Sequence, residues 1–200
     1  MTTEDAAAPA TADELRAQRD ELLDAIDGLA PDDPQAPELC ARAGFLGLLA
    51  FMEDWRPDDL SQSAKAFDAA FRAPGDSADW SLWRASYAHV AAFRYEADPR
   101  LDLLDEALRR YEEANRGEGL DEAVALGVRR NQGELCLARM LRHGGTVADA
   151  QAAAAHYGAV LDAGHPSSDL PEARYGRGAA LTELAFASGT LVSGTIDRAQ

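Results

Sequence analysis

The sequence predicts an all-α fold, on three observations. Ala supplies 42 of the 200 residues and, with Leu, leads the scale of helix formers, whereas β-branched residues that favour strands are scarce and Ile occurs twice. Apolar residues recur at helical spacing, as in Leu15, Leu22, Leu23, Ile26 and Leu29. After Pro37 the chain copies itself with a period of 44–46 residues, the mark of an α-solenoid of antiparallel helix hairpins, expected to be right-handed.

The repeat shows in several registers at once. Phe67, Tyr111 and Tyr157 are separated by 44 and 46 residues; Leu48, Ala92, Cys136 and Leu181 by 44, 44 and 45. Leu49, Phe93 and Leu137 repeat at 44, as do Asp54 with Asp98 and Arg56 with Arg100. One match would be chance; several sharing one period are not.

Residues 1–10 are small, polar and aperiodic, and read as a disordered tail. Thr11-Ala-Asp-Glu14 is a capping box that starts a helix over 12–29, an N-terminal cap within residues 11–30. Gly28 and Pro31 end it, and the proline-rich stretch to Pro37 is a linker. The array then runs over 37–200, in units of about 37–76, 77–119, 120–166 and an incomplete 167–200. First helices are expected over 38–54, 79–97, 121–143 and 169–188, and second helices over 58–72, 100–115, 146–163 and a stub from 190. Trp55-Arg-Pro57, Asp98-Pro99, His143-Gly-Gly-Thr146 and Ser188-Gly-Thr190 punctuate the hairpins, with Thr146 and Thr190 as N-caps. One hairpin cannot bury both its apolar faces, so neighbours stack and share a core. The aromatic at Phe67, Tyr111 and Tyr157 is expected to fill the gap between paired helices. The small residues Gly44/Ala88 and Gly133/Gly178 are expected where a Cβ would block a close approach.

The balance of 35 acidic to 19 basic residues, net −16, excludes a nucleic-acid binder, whose phosphate contacts need Lys and Arg. The acidity is concentrated early: residues 1–60 are net −11 and residues 61–200 net −5. No apolar run approaches the roughly 18 residues of a membrane span, and the first thirty residues lack the pattern of a signal peptide. Arg outnumbers Lys 18 to 1, which with the Ala excess suggests GC-rich coding and a bacterial, cytoplasmic setting.

The units resemble tetratricopeptide repeats, lengthened beyond the usual form. More narrowly, they resemble the extended helical repeats of large actinobacterial proteins, whose second helix carries a motif like Leu-Asp-Glu-Ala-x-x-x-Tyr. The matching stretch is Leu103-Leu104-Asp105-Glu106-Ala107-Leu108-Arg109-Arg110-Tyr111, with the turns His143-Gly144-Gly145-Thr146 and Ala187-Ser188-Gly189-Thr190 and the loop Gly164-His165-Pro166 before Ala173-Arg174-Tyr175-Gly176. The resemblance covers about 35–200. It implies a protein-binding array, of the kind that accompanies a CHAT protease domain or a signalling ATPase. The strict tetratricopeptide Trp and Pro positions are not kept, and the chain stops early in a second helix, as a fragment of a longer effector or an array with a short last helix would.

Nothing in the sequence points to catalysis, a cofactor or a metal. Cys136 shares a register with Leu48 and Leu181 and reads as core, and Cys40 has no His within 45 residues to act as its base. His89, His143, His156 and His165 pair with no His or Cys at zinc-ligand spacing. Calcium loops, phosphate loops and the Glu-x-x-His pattern of di-iron bundles are absent.

The remaining constellation is a row of Arg on the first helices: Arg84, Arg94, Arg129, Arg130, Arg139, Arg142, Arg174 and Arg177. In tetratricopeptide arrays these helices line the concave face. Arg84, Arg94, Arg130, Asn131, Arg174, Tyr175 and Arg177 are therefore the candidate groove, suited to an acidic peptide or a C-terminal carboxylate. Against this stands pairing of the same Arg with Glu106, Glu113, Glu134 and Asp149. The expectation is a non-enzymatic scaffold that binds a protein or peptide through its concave face. Its alternatives are a sensor segment of a larger effector and, behind that, a helical-bundle enzyme. Leu181, Leu184, Phe186, Leu191 and Val192 at the open C-terminal end predict self-association.

Overall fold

The computed structural model describes residues 10–30, 32–72, 79–117, 119–165 and 171–187. All eight regular elements among them are α-helices: α1 (Ala12–Asp27), α2 (Ala36–Asp54), α3 (Pro57–Ala70), α4 (Trp80–Ala97), α5 (Leu101–Arg116), α6 (Glu122–Arg142), α7 (Val147–Asp162) and α8 (Pro171–Ala187). Every end lies within two residues of the sequence expectation. The Ser188-Gly-Thr190 turn, the stub from 190, Leu191, Val192 and nearly all of the N-terminal tail lie outside the described residues. No helix among those described is long and apolar enough to cross a membrane.

Local chemistry sets the helix ends. At α1 the Thr11 N–H donates to the Glu14 carboxylate at 2.8 Å and the Glu14 N–H donates back to the Thr11 hydroxyl at 3.3 Å. Asp121 accepts from the Ala123 N–H at 2.9 Å to start α6, and the Thr146 N–H donates to Asp149 at 2.7 Å to start α7. Pro57 opens α3, where its missing N–H costs nothing, and holds Arg56 extended.

The chain divides into two compact units, residues 1–98 and 99–200, at Asp98-Pro99. In the first, α1 packs on α2, α2 on α3, and α4 on both α2 and α3. Its core is aromatic. Phe67 is fully buried and stacks on Tyr87 at 5.3 Å, and Phe71 lies 4.9 Å from Trp80, whose ring is 5.4 Å from Trp83. The α2–α3 contact is close because small residues face it. A Cβ on Gly44 would sit 2.9 Å from the Phe67 ring, one on Gly47 would sit 3.2 Å from Ser63 Cβ, and Ser63 donates to the Gly44 carbonyl at 2.6 Å.

In the second unit α6 packs against α5, α7 and α8, and α7 against α8. Tyr157 of α7 takes the place that Phe67 has in the first. A Cβ on Gly133 of α6 would lie 3.1 Å from its ring, and one on Gly176 of α8 only 2.2 Å from it. The expected close approach at Gly44 and Gly133 is present. At Gly178 nothing stands within 4 Å of a Cβ among the described residues, and the second helix expected to pair with it, the stub from 190, lies outside them. Gly176, two residues earlier and half a turn round the helix, meets the Tyr157 ring from the next hairpin.

A buried ion cluster holds α1 in place. Asp59, 3% exposed near the start of α3, accepts from Arg16 at 2.7 and 3.0 Å and from Arg19 at 2.7 Å. Arg16 also reaches Asp54 at 2.5 Å. Burial alone would push the Asp59 carboxyl up, but the bonds from Arg16 and Arg19 outweigh it and hold the group below the ordinary aspartate range. Such clusters fix position more than they add stability; breaking one strands a buried charge.

Two outcomes follow. Gly178→Ala should stabilise the chain by about 0.5–1 kcal/mol through helix propensity, while Gly44→Ala should destabilise it by about 1–3 kcal/mol and Gly176→Ala by more, as read by urea denaturation. Asp59→Asn should cost about 3–5 kcal/mol near neutral pH. Because the Asp59 carboxyl titrates lower folded than unfolded, its contribution is complete above about pH 4 and fades as pH falls through its lowered value. The variant should therefore show a flatter loss of stability in acid than the parent.

Candidate functional site

Two first helices and one second-helix ring build an apolar concavity in the second unit. Leu137, Ala138 and Leu141 of α6 face Pro171, Tyr175 and Gly176 of α8 across a groove of about 450 Å³, floored by Tyr157 of α7. Gly176 lets the floor form, since any side chain there would collide with the Tyr157 ring. Tyr175 is 80% exposed and Leu141 58%. Glu134, Arg142 and Glu172 stand at the rim. Glu134 lies 3.7 Å from Arg130. Arg142 is exposed and makes no ion pair among the described residues. Burial of Tyr157 pushes its phenol well above the ordinary value.

Of the expected groove residues, Tyr175 lines this cleft. Arg130 is half-buried and shared between Glu134 and the Asn131 side chain, 3.3 Å away. Asn131 itself donates to the Tyr111 hydroxyl at 2.9 Å and so belongs to the α5–α6 packing. Arg174 is exposed beside Tyr175, and half-buried Arg177 lies over Gly158 of α7. Arg84 and Arg94 are half-buried on α4, in the first unit. Leu137, Leu141 and Arg142 were not among the expected groove residues. Leu137 shares its register with Leu49 and Phe93, and that apolar register on first helices was a usable signal.

A second cleft of about 570 Å³ lies between α5 and α7 over α6. Its charges are largely paired with one another, and one of these pairs, Arg139 with Asp149, is of the kind weighed against the groove. Arg139 bridges Asp105 and, at 3.4 Å, Asp149. Arg109 meets Glu113 at 2.6 Å, Arg116 meets Glu112 at 3.3 Å, and Asn115 donates to Gln132. Cys136 sits at this cleft, and burial, with Asp149 nearby, pushes its thiol up to about 11. Cys40 is also buried and its thiol raised. Burial thus disfavours the thiolate at both, the form a nucleophile requires. His156 is half-buried at the same cleft; burial, and then Arg129, favour its neutral form. His89 holds the Ala85 carbonyl at 2.8 Å. Among the described residues no cluster of three or more His, Cys, Asp or Glu is arranged to hold a metal ion. Comparison with protein-family models, with curated proteins and with solved structures finds no match for the chain.

Proposed function

We propose that the chain is a helical-repeat scaffold, a right-handed solenoid of stacked hairpins, that binds a protein or peptide in the groove between α6 and α8. The observation that carries this reading is the pair of exposed apolar side chains, Tyr175 and Leu141, over a formed apolar cleft with the exposed Arg142 at its rim. Exposed aromatics beside an arginine are the residue types that dominate binding energy at interfaces. The occupant is a segment with one apolar anchor for the cleft and a carboxylate, side-chain or terminal, for Arg142. Arg130, one turn before Glu134, and Arg174, next to Tyr175, add positive charge along the same helices.

The repeat arrangement is supported by a recurring contact. Phe67 stacks on Tyr87, Tyr111 takes a hydrogen bond from Asn131, and Tyr157 meets Gly176. The three partners are 44 and 45 residues apart, the period of the sequence repeat. A bacterial cytoplasm is the setting in which we place this scaffold. Leu181 and Phe186, 49% and 54% exposed on α8, support association of copies through that end.

A peptide library panned on the full chain tests the reading. Enriched peptides should combine an aromatic or Leu with an acidic group. Tyr175→Ala and Leu141→Asp should each weaken them by about tenfold or more with helical circular dichroism unchanged, and Arg142→Glu should reject those with a carboxylate. Binding that is equal for parent, Tyr175→Ala and Leu141→Asp would overturn it.

A further inference from the structure

We infer a second interaction surface, in the first unit, centred on Trp55 and taking a basic segment of a partner protein. The α2 helix ends there with its terminal residue in the left-handed conformation, φ 60° and ψ 32°, and the Trp55 N–H closes on the Phe51 carbonyl at 2.7 Å. Glycine is the usual occupant of such a stop because it adopts that conformation without strain. Trp55 is the one non-glycine residue at positive φ among those described.

Burial does not offset the strain. Trp55 is 61% exposed, whereas Trp80 and Trp83 are 5% and 4% exposed in the core. Its indole is instead held at the surface. Phe51 meets it at 5.0 Å and 68°, Phe93 at 5.8 Å and 85°, and those two rings lie 5.2 Å apart. A locally unfavourable residue, fixed in place yet left in water, marks a candidate contact site.

Charge selects the occupant. Residues 1–98 carry 20 acidic and 8 basic side chains, net −12. Around Trp55, Asp54 and Asp59 are engaged by Arg16, and Arg56 is engaged by Asp54 at 3.0 Å. Glu53 and Asp58 are exposed and make no ion pair among the described residues. Such a field repels nucleic acid, anionic lipid and acidic peptides, and draws in cations. An exposed indole with carboxylates two and three residues away in the chain suits an Arg or Lys side chain, through cation–π stacking and charge together.

The test uses the full chain with a synthetic Arg-Gly repeat peptide and a matched Glu-Gly peptide. Trp80 and Trp83 are buried, so acrylamide quenching reports on Trp55. The Arg-Gly peptide should bind, protect Trp55 from acrylamide and lose affinity as salt rises; the Glu-Gly peptide should do neither. By calorimetry, Trp55→Gly should weaken the Arg-Gly peptide by about tenfold while folding at least as stably, and Trp55→Phe should weaken it less. Absence of Arg-Gly binding would overturn the proposal. So would equal binding by parent and Trp55→Gly, which would leave charge alone as the cause. Dimerisation of the parent that disappears in Trp55→Gly would also overturn it, by showing that a second copy covers the indole.

Discussion

The close approach of paired helices around one aromatic ring is the constraint on which the rest of this structure depends. Phe67 and Tyr157 each occupy a slot that exists because a glycine on the facing first helix has no Cβ. Close-packed interiors respond to the addition of a single methyl group, so the slot sets both the distance between helices and their axial register. The glycines are unfavourable for helix propensity; their value lies in what they admit. The same arrangement builds the candidate binding groove, because the ring that fills the Gly133 slot also forms the floor between α6 and α8.

Electrostatics act on top of this packing, in two ways. In the first unit a single buried carboxylate, Asp59, gathers two arginines and fixes α1 on the hairpin. In the second, Arg139 bridges α5 and α7 through Asp105 and Asp149. Charges absorbed in this way are unavailable to a ligand. Arg130 and Arg139 of the arginine row are engaged in this way, whereas Arg142, at the end of α6, stands at the groove rim. Paired surface charges of this kind contribute about 0–1 kcal/mol each, so their main effect is to fix geometry.

Much of this was legible in the residues themselves. Helix extents followed from period and punctuation: Thr11 with Glu14, Pro57 after Arg56, Thr146 with Asp149. The aromatic register identified Phe67 and Tyr157 as fillers of the gap. Other features needed three dimensions. The spacing of 45 pointed to Gly178, whose own hairpin partner lies outside the described residues; that Gly176, in the register of Tyr87 and Asn131, would meet Tyr157 from the next first helix needed the coordinates. The role of Asp59 depends on Arg16 and Arg19, 43 and 40 residues away, and no local pattern connects them. The groove walls Leu137 and Leu141 were not singled out, because apolar residues at helical spacing read alike whether a neighbour covers them or not.

A double-mutant cycle tests the central constraint most directly. Gly133→Ala adds a methyl group where the Tyr157 ring stands, and Tyr157→Leu removes the ring that it strikes. If ring and glycine define the helix spacing together, the losses in unfolding free energy should be strongly non-additive. The double variant should be more stable than the sum of the single changes by about 1 kcal/mol or more. Additive losses would show that Gly133 and Tyr157 do not share a contact, and would contradict the account.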